Sequence, residues 1–139
     1  MNPKQKGTLT ELQCLAALYE CGCAVSLPYG ENNRYDFIID INNKLLRVQV
    51  KSSRKIDDTS FAFTCMSTKS KKSGNTRRRY TSDEIDYFAT YYQNKCYLVP
   101  VNICGCEKRL HLDVCKNNQL QNVCFARDFE LNNIITKIK

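Results

Sequence analysis

The chain lacks any run of about eighteen apolar residues, the length a helix needs to cross a bilayer, so no membrane-spanning helix is expected. Its N-terminus, MNPKQKGTLTELQ, is basic but lacks the apolar core of a secretory signal, which predicts a cytoplasmic protein. Histidine is almost absent. The single His111 sits in an alternating stretch with no nucleophile paired to it, and reads as structural. An even cysteine count is also missing. Nine cysteines in a chain that looks cytosolic argue against a disulfide framework. The C-x-C pairs Cys21/Cys23 and Cys104/Cys106 are spaced too closely for the common zinc ligand pair. Cys14, Cys65, Cys96 and Cys124 lie in apolar stretches, where cysteine packs as a small hydrophobe.

What is present is an ordinary globular composition with a basic excess. The 139 residues favour one domain, 1–139, with a real core. Hydrophobic residues make up 42% and charged ones 25%. Lysine and arginine number 21 against 14 acids, a formal charge of +7. Such an excess suits a polyanionic partner, most often nucleic acid, although a basic protein without one is equally compatible with charge alone.

Thr8-Leu9-Thr10-Glu11 has the form of a capping box, and Leu12, Leu15, Ala16 and Tyr19 follow at helical spacing. Gly22 is a natural stop, so a first helix is expected over 8–21. Ala24 to Leu27 reads as a short strand and Pro28 to Asn33 as a loop. Arg34 to Lys51 reads as a hairpin, and Thr59 to Met66 as a strand rich in β-branched and aromatic residues. Lys69 to Arg79 reads as a polar, basic loop. Thr81-Ser82-Asp83-Glu84 forms a second capping box, before Ile85, Phe88, Ala89 and Tyr92 at helical spacing, and predicts a second helix. Lys95 to Val101 is a strand whose Pro100 belongs at an edge. RLHLDV is another strand, and Asp128 to Lys139 a short helix. Helices mixed with a largely antiparallel sheet make an α/β or α+β domain.

The hairpin carries the functional signal. With Asn42-Asn43 as a two-residue turn, Ile41 faces Lys44, Ile39 faces Leu46, Phe37 faces Val48 and Asp36 faces Gln49. One face then carries Phe37, Ile39, Ile41, Leu46, Val48 and Val50, a core face that fixes the register. The other gathers Asp36, Gln49 and Lys51 at the end away from the turn. An acid, an amide oxygen and an ammonium at one strand end can build a cation and phosphate site. A carboxylate with another oxygen holds Mg²⁺, with waters and substrate phosphate completing its shell. A lysine there can position or help deprotonate the attacking water. The bland alternative is a solvent-facing sheet with one cross-strand ion pair.

Glu11 on the first helix, Asp36 on one strand and Gln49-Val50-Lys51 on the next resemble the PD-(D/E)XK nuclease superfamily. That superfamily places an acid on its first helix, an Asp at a strand start and an (E/D/Q)-x-K tripeptide on the following strand. The runs PYGENNRYDFIIDINNKLLRVQVKSS, RRRYTSDEIDYFATYY and CYLVPV are similar to the branch of group I intron-encoded homing endonucleases of bacteria, over roughly Gly7 to Leu112. The resemblance implies an αβββαβ core with a mixed central sheet, and a Mg²⁺-dependent, site-specific DNA endonuclease. It implies that Glu11, Asp36, Gln49 and Lys51 form the active site. Asp36 would be the main metal ligand, Glu11 would bind metal or its water, and Gln49 would offer its carbonyl. Lys51 would contact the attacking water and the scissile phosphate. The family's Pro-Asp is Tyr35-Asp36 here. Gln49 in place of an acid removes one negative charge, which weakens metal binding or reduces the number of metals held. Glu11 also has a structural reading as the capping acid of Thr8, and the two roles compete for its carboxylate.

Around this core, KSKKSGNTRRRY (Lys69 to Tyr80) holds six basic residues and no acid. Lys69, Lys71, Lys72, Arg77, Arg78 and Arg79 can neutralise phosphates, and the arginines can read guanine edges in the major groove. Ser53, Arg54 and Lys55 follow the expected catalytic lysine and can hold the adjacent backbone. A chain of this size cuts one strand per site, so a homo-dimer or tetramer is expected, with the second helix and the C-terminal stretch as candidate interfaces. Competing readings are a Holliday junction resolvase on the same core, a DNA-binding module with a decayed site, and a metal or redox protein using the cysteines.

Overall fold

A computed structural model describes residues 1–30, 32–112 and 123–138, without the side chains of 69–71. Its first helix, α1, spans Pro3–Glu20, five residues earlier than the sequence reading placed its start. The Asn2 side chain caps Gln5 N, the Gln5 side chain reaches back to the Asn2 backbone, and Pro3 opens the helix. This box serves the orphan amides at the true helix start, and Thr8 and Glu11, inside the helix, have none to serve. Thr8 instead sits inside the helix and bonds the Lys4 carbonyl at 3.1 Å. The stop is where expected. Gly22, at φ +81°, adopts the left-handed conformation that lets Cys23 N return to Leu18 O at 3.1 Å.

The strands are β1 (Ala24–Ser26), β2 (Phe37–Ile41), β3 (Lys44–Val50), β4 (Ser53–Asp57) and β5 (Ser60–Thr64). They continue with β6 (Met66–Lys71), β7 (Gly74–Arg79), β8 (Tyr87–Tyr92), β9 (Lys95–Pro100) and β10 (Glu107–His111). Short 3-10 turns occupy Val101–Ile103 and Ala126–Phe129, and the closing helix α2 spans Leu131–Ile138. Asp113 and Val114, the end of the expected RLHLDV strand, and Lys139, the end of the expected tail helix, lie outside the described residues.

A five-stranded sheet has the order β1-β2-β3-β8-β9, mixed because β3 pairs with β8 in parallel. A second sheet has the order β10-β5-β4, and among the described residues β6 pairs only with β7. The mixed α+β class is therefore the expected one. The hairpin register is also as expected: Ile41 pairs Lys44, Ile39 pairs Leu46 and Phe37 pairs Val48. Asn42 and Asn43 both take positive φ, 50° and 65°, the requirement of a two-residue turn with the strands' own twist. Pro100 ends β9, the outer strand, where a missing amide costs no ladder bond.

The second helix is not there. Thr81 to Glu84 does close a turn, with Glu84 Oε1 accepting from Thr81 N at 3.2 Å, but the chain then extends into β8. Ile85, Phe88, Ala89 and Tyr92 fit both periods. Aromatic and β-branched Tyr87-Phe88-Ala89-Thr90-Tyr91-Tyr92 favours a strand, and parallel pairing with β3 decides it. Buried on both faces, β8 reads as a continuous apolar run. With that helix goes its role as an interface. Asp86, which it carried, instead accepts from Arg47 N at 2.8 Å and pairs with the Arg47 side chain at 3.3 Å.

Two apolar clusters flank β8 and β9. On one face Phe37, Ile39, Val48, Ala89 and Leu98 pack against Cys14 and Leu18 of α1 and Ile134 and Ile135 of α2. On the other, Phe88, Tyr97 and Val99 pack against Phe61, Phe63 and Leu110 of the second sheet. Cys14, Cys65 and Cys96 are buried as expected, and Cys124 is half-buried. Among the described residues no helix is long and apolar enough to cross a membrane.

Candidate active site

The core face of β2 and β3 fixes everything that follows at their far end. Because Phe37, Val48 and Val50 point inward, Gln49 and Lys51 emerge on the opposite face. Asp36 stands just before β2. Its amide donates to Val48 O at 2.8 Å, and its Oδ2 accepts from Val50 N at 2.7 Å. The carboxylate is thus clamped to the backbone of the tripeptide that carries Gln49 and Lys51. Its Oδ1 makes no hydrogen bond among the described residues.

Glu11 comes from α1. The Asn2 cap leaves its carboxylate free of the helix start, and it makes no hydrogen bond among the described residues. Burial raises its pKa, and the Asp36 charge raises it further. Burial likewise lifts Asp36 above the ordinary carboxylate range, although the Val50 amide and the Lys51 ammonium both pull it down. Two partly buried acids thus stand near each other, with the Lys51 ammonium offsetting part of the Asp36 charge. Gln49 turns its amide NH₂ to Val50 O at 3.4 Å and leaves its oxygen unbonded among the described residues. Two carboxylates and an amide carbonyl are the all-oxygen donors a hard divalent cation takes. No cluster of three or more His, Cys, Asp or Glu gathers among the described residues, so a protein cage is not built.

Lys51 is half-buried, and burial lowers its pKa; nearby Asp36 and Cys65 oppose that and Arg34 adds to it. Its Nζ donates to Met66 O at 3.0 Å, the first residue of β6. It also lies 5.2 Å from the Tyr80 ring, on which the Arg34 guanidinium stacks at 3.9 Å. A cavity of about 570 Å³ opens here, lined among others by Arg34, Asp36, Gln49, Ser67, Arg78 and Tyr80. The four residues expected from the sequence are therefore placed around one strand end.

A family model of PD-(D/E)XK endonucleases matches residues 1–132. The chain belongs to that family. Among solved structures, the bacterial homing endonuclease I-Ssp6803I is similar, with a TM-score of 0.76 at 24% identity. The similarity covers 99% of this chain and 95% of that one, and shows a shared fold. No curated protein matches.

The residues expected to hold DNA are placed less uniformly. The basic segment is no loop. Its β6–β7 hairpin turns through Gly74 at φ +121°, and Lys72, Arg77, Arg78 and Arg79 are exposed on it. Lys69 and Lys71 lie on β6, and their side chains are outside the described part. Arg54 and Lys55 are exposed on β4, paired with Glu107 and, at 3.1 Å, with Asp58. Ser53 departs from its expected place. It is buried, its hydroxyl bonds Tyr91 O at 2.7 Å, and its carbonyl takes the Lys6 ammonium at 3.1 Å. Pairing with β5 turns it into the protein.

Sequence reasoning missed Arg34. It donates to Ser67 Oγ at 3.1 Å, contacts Glu84 Oε2 at 3.3 Å and stacks on Tyr80, tying the ribbon to the strand end. Only its place in the family-like RYD run pointed to it. The cysteine reading gains no support, because no group of three or more His, Cys, Asp or Glu that could hold a metal gathers among the described residues.

Proposed function

We propose that the chain is a Mg²⁺-dependent DNA endonuclease that hydrolyses phosphodiester bonds at specific sites. The carrying observation is that the Asp36 charge acts on both the Glu11 carboxyl and the Lys51 ammonium, while Asp36 and Gln49 line a cavity of about 570 Å³. Asp36, Glu11 and the Gln49 carbonyl would hold the cation. A bound Mg²⁺ supplies a more acidic water and stabilises charge developing on the phosphoryl group.

The protein's own groups do the rest. The clamp from Val50 N to Asp36 fixes the carboxylate before substrate arrives, so no reorganisation is needed at reaction. Lys51, with its pKa lowered by burial, orients the attacking water and shares its proton, while its charge meets the scissile phosphate. Arg34 and Tyr80 line the same cavity and offer a cation and a ring to the flanking nucleotides. Because one such site cuts one strand, two or more chains assemble for a double-strand cut.

The test incubates the protein with supercoiled plasmid and with a four-way junction, each with Mg²⁺ and with EDTA. Mg²⁺-dependent cutting of the plasmid or of long random inserts supports a sequence-directed enzyme. Preference for the junction redirects the reading to a resolvase. Salt-sensitive binding with no cutting of any substrate, random inserts included, leaves a DNA-binding module with a decayed site.

A further inference from the structure

The three consecutive arginines of β7 are chemically alike and structurally different. Arg78 is tied down: its guanidinium meets Glu84 Oε2 at 2.6 Å, the same carboxylate oxygen that Arg34 approaches at 3.3 Å. Arg79, at the base of the ribbon, donates to Cys104 O at 3.3 Å. Arg77 is exposed and makes no hydrogen bond or ion pair among the described residues.

Register explains the division between Arg77 and Arg78; Arg79 shares Arg77's face and differs by lying at the ribbon's base, within reach of Cys104 O. Ser67 pairs with Arg78, and Thr68 with Arg77. Directly opposed residues share a face, so Ser67, Thr76 and Arg78 stand on one side, and Thr68, Asn75 and Arg77 on the other. The first side is pinned to the body, through Ser67 to Arg34 and through Arg78 to Glu84. Exposure does not separate the sides, since Thr76 and Arg78 are exposed too. On the second side, however, the side chains of Asn75 and Arg77 are exposed and make no hydrogen bond or ion pair among the described residues, and Thr68 is exposed where it also lines the cavity beside Asp36. This side offers a threonine, an amide and a guanidinium, the side chains that pair with base edges: arginine with guanine O6 and N7, asparagine with adenine, threonine with the thymine methyl. A two-stranded ribbon also fits the width of the major groove.

We propose that the β6–β7 ribbon enters the major groove of duplex DNA and that Arg77, alone of the three arginines, reads a guanine there. This rests on the reading of the chain as a DNA nuclease. Arg78 and Arg79 are positioning residues that hold the ribbon at the angle where the cavity beside Asp36 receives the backbone.

The experiment selects bound duplexes from a random library, without Mg²⁺, using wild type, Arg77→Lys, Arg78→Lys and Arg79→Lys. Lysine keeps the charge and loses the fork that grips guanine. The wild type is expected to enrich a guanine at one fixed position. Arg77→Lys is expected to lose that preference by roughly tenfold or more, with unchanged preference elsewhere and an unchanged salt slope. Arg78→Lys and Arg79→Lys are expected to keep it. Retention of the guanine by Arg77→Lys, or its loss only in Arg78→Lys or Arg79→Lys, overturns the assignment. So does a wild type that enriches no duplex sequence. Because binding is read without cleavage, a protein that selects a site and never cuts it overturns the nuclease reading and leaves this one standing. A protein that cuts yet selects nothing does the reverse.

Discussion

The β2–β3 hairpin buries Phe37, Ile39 and Val48 completely, whereas every residue of β7 is exposed. Both are antiparallel hairpins of similar length, and both present polar groups to the same cavity. The first is held by a continuous apolar row packed on α1. Among the described residues the second pairs with no strand beyond its own two and is tied through Lys51, Arg34 and Glu84. Catalytic geometry tolerates little displacement, so the groups proposed for chemistry stand on the rigid element. Recognition of a long polymer profits from a ribbon that can adjust on binding.

That contrast can be broken at several points. The largest effect is expected at the rigid strand end. Asp36→Asn should lower Mg²⁺-dependent cleavage by roughly a thousandfold, since a divalent ion's charge stabilisation is worth several kcal/mol, and should abolish the rise in Tm on adding Mg²⁺. In EDTA the same variant should be more stable than wild type at neutral pH. The pKa of Asp36 is raised in the folded protein, so its favourable contribution is present below the ordinary carboxylate range and lost as pH rises through the raised value. The asparagine escapes that loss. Its advantage should therefore vanish as melting curves are taken to acid pH, and an advantage that persists there would point to a cause other than charge.

Next comes packing. Phe37→Ala should cost about 3–5 kcal/mol of unfolding free energy, while Thr76→Ala on the ribbon should change it by less than about 0.5 kcal/mol. Urea titrations of the two variants give the comparison directly, and equal losses would show that the ribbon is part of the core. The smallest effect is expected at the tie. Glu84→Gln releases Arg34 and Arg78 together. It should weaken DNA binding by about fivefold, on the order of 1 kcal/mol, with Tm nearly unchanged. A fall in Tm without a change in affinity would make Glu84 a purely structural residue.

The same contrast explains what was legible in the sequence. Phe37, Ile39 and Ile41 alternate on one side of Asn42-Asn43, and Leu46, Val48 and Val50 on the other, so period and turn chemistry both pointed to one register. Asp36, Gln49 and Lys51 could be placed together because that register carried them; Glu11, on α1, was joined to them only by the resemblance to a nuclease family. The ribbon could not be read, since Lys69 to Arg79 has no apolar alternation to mark a strand; its backbone pairing is local. β4 was hidden for the same reason in the polar run Ser53-Arg54-Lys55. At Ile85 to Tyr92 the helical and extended periods coincide, and a tertiary contact, the parallel pairing with β3, settled what spacing left open. The true start of α1 was visible in Asn2-Pro3 and Gln5, a capping box with proline at the first helical position. The more familiar Thr8–Glu11 pattern concealed it.

The central claim is that the strand end bearing Asp36 and Lys51 is where phosphodiesters are cut. Its most direct test is single-turnover cleavage of plasmid DNA in Mg²⁺ by wild type and Lys51→Ala, each first shown to melt and to bind DNA alike. The account predicts cutting by the wild type and a loss of about a hundredfold or more in the variant. Cleavage by Lys51→Ala at the wild-type rate would contradict it.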